Sequence, residues 1–298
     1  MPLLYLFVCI TLICLLLLFP GIAHKGADLG LQLFMEALFP YLLPYLILTQ
    51  WFIRLTPEKE NSLSRFKLYF KTYGISALGG FPTGAATIAY LKRTNQISKS
   101  EANGLLSICH SPSPLFVLGF VGHDLLHDTR FSWQYLILYH TVSLFLLLLY
   151  YFYHRSNPRQ EIKLDNLRRN ENPFISSIKD SIPTVLVVGS TIIFFTTIYT
   201  VVMFTIQTIL PNIHKNLLLL TAASLEMTNG LQIAHKFFAD ESIILPLLMA
   251  TFLSSQSLSI HMQVAVIAKS ENISLKPYIL LRVLITIIIP LLYFILFL

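Results

Sequence analysis

Four short polar sequences interrupt otherwise apolar stretches of this 298-residue chain: Gly79-Gly80-Phe81-Pro82-Thr83-Gly84, Cys109-His110-Ser111-Pro112-Ser113-Pro114, Leu225-Glu226-Met227-Thr228-Asn229-Gly230 and Ser254-Ser255-Gln256-Ser257-Leu258-Ser259-Ile260-His261. A helix that begins at such a break presents unpaired backbone N–H groups and the positive end of its dipole, which together favour a carboxylate or another anionic group. A helix that ends there presents carbonyls, which suit a cation or a proton-bearing ligand. Pro82 suits a first helical turn, while Thr83, Ser113, Thr228, Asn229, Ser257 and Ser259 are of the type that caps one. Any single Ser or Thr is equally served by bonding its own or a neighbouring helix, so the weight rests on the four breaks taken together.

Glu226 is the sharpest residue. A carboxylate inside an apolar region is costly, about 2.5 to 3.5 kcal/mol for Asp on insertion scales, and marks a functional position by default. It can hold a coupling cation, exchange a proton, accept a hydrogen bond from a solute, or cap the backbone of its own break. His110 and His261 lie at the two interrupted helices and can donate to an anion or titrate near neutrality; Gln256 and Gln263 can orient a ligand. The residues expected to line a small-molecule site are Glu226, Thr228, Asn229, His261, Gln263, Ser257 and Ser259 from one half of the chain, with Pro82, Thr83, Gly84, His110, Ser111 and Ser113 from the other. His123 and His127 stand at i and i+4 and would chelate a metal on a helix, but no third ligand has a diagnostic spacing, so neither a metal nor a cofactor is expected. HExxH, GxSxG and a Gly-rich phosphate loop with Lys are all missing, as is a nucleophile and base pair at helical spacing, which argues against an enzyme.

The elements that position these residues follow from composition. A hydrophobic fraction of 55%, charged residues at 12% and a mean hydropathy of +0.67 describe an all-α polytopic membrane protein, with the bilayer as an obligatory partner. The formal charge of +6 sits in short loops between apolar segments, where the positive-inside rule accounts for it without nucleic acid. The three cysteines lie in apolar segments without CxxC spacing. Residues Leu3 to Phe19 lack the preceding Lys or Arg of a signal peptide, so an uncleaved first helix is expected.

Full spans are expected at about 3–22, 30–54, 133–153, 184–209 and 278–297. The stretches 73–93 and 216–236 could each cross once or form a re-entrant hairpin. Charge separates these cases. With both as hairpins, 17 of the 21 Lys and Arg residues, Arg282 among them, fall on the inner side, and only Lys25, Arg130, Lys215 and Lys236 lie outside; with both as spans the division is 10 against 11. Hairpin arms of about ten residues would reach about 15 Å, half of a hydrocarbon core.

The chain then divides into an extra N-terminal helix (1–29), a first repeat (30–153) with hairpin 73–93 and broken helix 98–123, a cytoplasmic linker (154–172), and a second repeat (173–298) with hairpin 216–236 and broken helix 241–269. Pro40 answers Pro183, Thr83-Gly84 answers Thr228-Asn229-Gly230, and Tyr135 answers Tyr278. Three crossings per half make the second inverted relative to the first, with the N-terminus inside and the C-terminus outside. Glu58 to Lys71 alternates basic and apolar residues in the manner of an interfacial amphipathic helix. Broken helices at matching places in two halves are the pattern of a secondary transporter driven by a gradient.

At the breaks the chain resembles the sporulation integral membrane protein family YlbJ, also called SpoVV, whose halves belong to the nucleoside-recognition Gate group. The resemblance is carried by Gly80-Phe81-Pro82-Thr83-Gly84-Ala85, Ile97-Ser98-Lys99-Ser100-Glu101-Ala102, Pro112-Ser113-Pro114-Leu115-Phe116, Leu225 to Gly230, Leu258-Ser259-Ile260-His261-Met262-Gln263, and Lys276-Pro277-Tyr278 with Arg282. It implies a fold similar to concentrative nucleoside transporters and a role in moving dipicolinate, a planar dianion, across the outer membrane of a forming spore. A nucleoside or other neutral solute is the alternative cargo. A non-transporting membrane protein needed for spore formation, recruiting partners through its basic loops, is the alternative class, and a homo-oligomer is compatible with either. Glu226→Gln is expected to abolish transport in vesicles while leaving membrane insertion intact; normal flux through that variant removes Glu226 from the mechanism.

Overall fold

The computed structural model describes residues 2–55, 64–155 and 172–298, which are helical with no strand among them. The protein is an all-α polytopic membrane protein. Arg130–His154, Pro173–Ile209, Ile244–Ser270 and Lys276–Phe297 are long and apolar enough to cross a bilayer, and the bent pair Leu3–Leu18 with Pro20–Glu36 adds a fifth candidate. Leu186, Phe145, Leu280 and Ile287 are more than half exposed on the outer faces of these helices, an apolar surface that lipid, rather than water, suits.

Helix α1 (Pro2–Leu18) ends where Pro20 opens α2 (Pro20–Gln32), and the chain turns there by 102°. The single span expected over 3–22 is therefore corrected: Pro20 has no N–H to continue the first helix's ladder, and its fixed φ suits the start of a new one. A π-helical turn, Leu33–Leu38, joins α2 to α3 (Phe39–Leu55), so the span expected at 30–54 is the end of a longer rod. Helices α4 (Arg65–Gly79) and α5 (Thr83–Arg93) follow, then α6 (Lys99–Ile108), a π-helical segment Phe116–Leu125, and α7 (Arg130–His154). The second half comprises α8 (Pro173–Ile209), α9 (Lys215–Leu225), α10 (Met227–Phe238), α11 (Ile244–Ser255), α12 (Leu258–Ser270) and α13 (Lys276–Phe297). One order recurs in both halves: a long helix, a pair of short helices, an interrupted helix, a long helix.

Both short pairs double back. A Cβ on Gly230 would lie 2.5 Å from the Cα of Ala223, and one on Gly84 would lie 3.4 Å from the Cβ of Ser76. Seven or eight residues of continuous helix would separate these atoms by about 10 to 12 Å. The arms of the first pair, about 22 and 16 Å long at 1.5 Å per residue, each fall short of a hydrocarbon core of about 30 Å. The first arm begins at Arg65, not near 73, so residues 65–71 belong to this hairpin and not to a separate interfacial helix; residues 58–63 of that expected helix lie outside the described residues. Most of the expected linker 154–172 does too, leaving His154 at the end of α7 and Asn172 capping α8 through Phe174 N–H at 2.9 Å.

Long-range polar contacts order the two ends of the bundle. Arg65 donates to Glu101 at 3.1 Å and to the His154 carbonyl at 2.7 Å, and the Asn103 side chain accepts from Ser274 N–H at 2.8 Å. The basic segments near 65, 99, 154 and 274 thus share one end. Tyr293 donates to Gln134 at 2.7 Å near the other. Arg282 departs from the grouping expected from sequence: it is 2% exposed within α13 and lies in no loop.

Helices α2 and α8 meet almost backbone to backbone through Gly26 and Gly30. A Cβ on Gly30 would stand 2.7 Å from the Ile193 Cα, and one on Gly26 2.9 Å from the Thr197 Cα. Small residues four apart allow such approach where dispersion must replace the hydrophobic effect. Gly30→Val is expected to force the rods apart and lower the thermal midpoint of the detergent-solubilised protein, a cost of about 1 to 3 kcal/mol. Gly74→Ala, where a Cβ meets nothing within 4 Å, should leave the midpoint unchanged or slightly raised.

Candidate functional site

The two hairpin turns and the two interrupted helices converge on one cavity. Gly79 and Phe81 come from the first turn, Ser113 and Phe116 from the first interruption, Glu226, Met227 and Thr228 from the second turn, and Ile260 and Gln263 from α12. Leu38, Leu42, Val188 and Ile192 of the long helices close the wall. Water can occupy only about 50 Å³ of it, far below the roughly 300 to 1,000 Å³ of a typical ligand pocket. In this arrangement the cavity has room for a few waters.

Glu226 is a single extended residue, φ −143° and ψ 123°, between α9 and α10. Its carboxylate accepts from Asn229 N–H at 2.8 Å and from the Thr228 hydroxyl at 3.3 Å. It caps the second arm of its hairpin and lines the cavity at once, at 2% exposure. The positive end of the α10 dipole favours this buried anion. Gln263 donates to Thr191 of α8 at 3.0 Å, and the Ser113 hydroxyl accepts from Phe116 N–H at 3.1 Å.

The other expected residues do not line this cavity. Asn229 donates to Thr196 of α8 at 3.1 Å, fastening the second hairpin to the long helix. Pro82 precedes α5, and the Thr83 hydroxyl returns to the Gly79 carbonyl at 3.2 Å. A Cβ on Gly84 would lie 2.2 Å from the Cys109 carbonyl oxygen, so this glycine lets the first hairpin touch the first interruption. Ser257 and Ser259 share a 2.8 Å hydrogen bond, and His261 Nδ1 pairs with the Tyr278 hydroxyl at 2.9 Å. His110 and Ser111 are buried behind Phe81, whose ring centroid is 4.9 Å from that of His110. His127 Nδ1 bonds the His123 carbonyl at 3.0 Å, and no group of three metal-ligating side chains occurs among the described residues.

Sequence reasoning missed the group around Arg282. Its guanidinium donates to Tyr139 Oη at 2.8 Å and to the carbonyls of His110 at 3.0 Å and Ser107 at 3.3 Å. Tyr139 itself donates to the His110 carbonyl at 2.9 Å, and Tyr278 donates to Gln256 Oε1 at 2.9 Å. The available signal was an Arg set between Ile279-Leu280-Leu281 and Val283-Leu284, inside the apolar run and not beside it.

No family model matches the chain. Among curated proteins it is similar to the sporulation integral membrane protein YlbJ of Bacillus subtilis (strain 168), with 30% identity over 112 residues that cover 34% of this chain and 28% of the relative. The match thus spans less than a third of that protein's length. No solved structure matches.

The capping contact of Glu226 can be separated from its charge. Glu226→Gln keeps an acceptor for Asn229 N–H, whereas Glu226→Ala removes it and should cost about 1 kcal/mol more. The expected readout is a lower thermal midpoint for the alanine variant than for the glutamine variant in the same detergent.

Proposed function

We propose that this protein is a secondary transporter of a small, polar, anionic solute, built from two inverted repeats whose hairpin turns enclose the solute at mid-membrane. The observation that carries this reading is the convergence of both hairpin turns and both interrupted helices on one cavity holding Glu226, Thr228, Ser113 and Gln263. Irregular backbone at such depth is tolerated where it lines a cavity or is buried in protein, and half-helix ends at the midplane are how carriers hold charged cargo. Alternating access follows from rocking the hairpins and interrupted helices against the long helices α3 and α8. The small cavity volume fits an occluded stage of that cycle.

Glu226 sets a condition on the cargo. An ionised carboxylate and an anionic solute repel each other in a low-dielectric site, so the solute is accompanied by a proton or a cation on Glu226. The partial similarity to a sporulation integral membrane protein supports a role in sporulation, and the motif resemblance at the breaks suggests dipicolinate as the cargo and the outer forespore membrane as the place. The carboxylate in the cavity favours one second reading, a neutral solute such as a nucleoside, which needs no such companion.

Binding of labelled dipicolinate and labelled nucleosides to the purified full chain, followed by uptake into proteoliposomes under an imposed proton gradient, tests this. Saturable dipicolinate binding and gradient-dependent uptake are expected. Nucleoside binding alone replaces the anionic cargo with the neutral one. Binding of neither, together with absence of flux, rejects transport in favour of a non-transporting role.

A further inference from the structure

One aromatic ring away from the cavity lies a second buried polar group for which the pairings described so far leave donors unused. Arg282 Nε, both ring nitrogens of His110, Gln256 Nε2 and the Ser111 hydroxyl are all buried without a hydrogen-bond partner. The residues are 2%, 0%, 4% and 1% exposed, respectively. Arg282, His110 and Gln256 are neighbours: the His110 carbonyl accepts from Arg282, the His110 ring lies 5.3 Å from that of Tyr278, and the Gln256 side chain accepts from Tyr278 and interacts with the His110 ring without closing a well-formed hydrogen bond, while Ser111 follows His110 in the chain. Arg282 Nε and Gln256 Nε2 are donors, the Ser111 hydroxyl can rotate to donate, and a neutral His110 ring supplies one donor on whichever nitrogen carries the proton.

The charge is unbalanced in the same sense. No salt bridge engages Arg282 among the described residues. Its bonds to the Ser107 and His110 carbonyls cap the C-terminus of α6, whose dipole supplies only about half a negative charge. Nearby, α12 begins at Leu258 with no side-chain cap on its free N–H groups, adding a positive dipole end. Backbone strain marks the spot as well. Gln256 has φ 59° and ψ 146°, a region close to glycine-only, at a cost of about 1 to 3 kcal/mol, and that backbone places its side chain among these groups.

We infer that Arg282, His110, Gln256 and Ser111 form a binding site for a small monoanionic group, a carboxylate or a halide, lying behind Phe81 from the Glu226 cavity. Phe81 lines the cavity and its ring also lies against His110, tilted by 41° at 4.9 Å between centroids, so this ring stands between the two. Use of the site by a transported solute rests on the transport reading above; occupation by an anion does not. Arg282 offers such a group its unpartnered Nε–H and its positive charge, with His110 and the Gln256 amide supplying further donors.

The test is thermal unfolding of the purified full chain in detergent, titrated with sodium benzoate, sodium chloride or neutral benzamide while sodium methanesulfonate holds the ionic strength. A saturable rise in midpoint with benzoate and none with benzamide is expected. Saturation by chloride alone also supports the site and assigns it to a halide. Arg282→Gln should abolish the rise. Gln256→Gly relieves the strained φ, so it should fold at least as well as the parent, yet bind the anion about tenfold more weakly through loss of one donor to a charged group. The proposal is overturned if neither anion gives a saturable, benzamide-resistant shift, or if the shift survives undiminished in Gln256→Gly. Anion stabilisation without vesicle uptake sinks transport and keeps the site; uptake without anion stabilisation does the reverse.

Discussion

A helix that stops inside a hydrocarbon layer leaves N–H and C=O groups that water cannot reach, and each must find a partner within the protein. Among the described residues the polar breaks stop helices in the interior of the bundle at four places, and the satisfaction of those ends shapes much of the architecture. At the second hairpin the answer is local: Glu226 accepts from the first turn of α10. At the first hairpin, Gly80 N–H returns to Ser76 and Gly84 N–H to Gly80. At the first interruption the answer is distant, because the carbonyls of Ser107 and His110 are met by Arg282 and Tyr139 from α13 and α7.

The distant answer welds the halves together. A guanidinium from the second half closes a helix end in the first, and α5 packs on α12 in the same region. Both arrangements put an ionisable group where lipid would reject its charge, at Glu226 and at Arg282, and no salt bridge among the described residues pairs the two.

Helix α8 is the common support. Thr191 holds Gln263 of the second interrupted helix, Thr196 holds Asn229 of the second hairpin, and Val188 and Ile192 line the cavity. The same rod takes the close contact of Gly26 and Gly30, so α2 holds it by backbone packing, and the Arg54–Asp180 ion pair ties it to α3. The ties from Gln263 and Asn229 to α8 are single hydrogen bonds, each of about 0.5 to 1.5 kcal/mol, whereas the α2 contact is extended.

The breaks themselves were legible in the sequence, because Gly, Pro, Ser, Asn and Glu in an apolar run obey local rules of capping and helix termination, and the segregation of basic residues settled that 73–93 and 216–236 double back. The chain by itself therefore determined an all-helical membrane protein with interruptions at Gly80-Pro82, Cys109-Ser113, Glu226 and Gln256-Ser257. Tertiary structure alone decided which break residues face the cavity: Glu226 and Gln263 do, while Asn229 and His261 turn to other helices and Ser259 pairs with Ser257 at its own break. It also placed Arg282, counted with the inner-side charges, in the buried interior, ended the first helix at Leu18, and began the first hairpin at Arg65. The reason is range. A cap reads its neighbours three residues away, but the contact from Arg282 to His110 joins residues 172 apart, and the rotation of each helix about its axis is set by packing that no local spacing encodes.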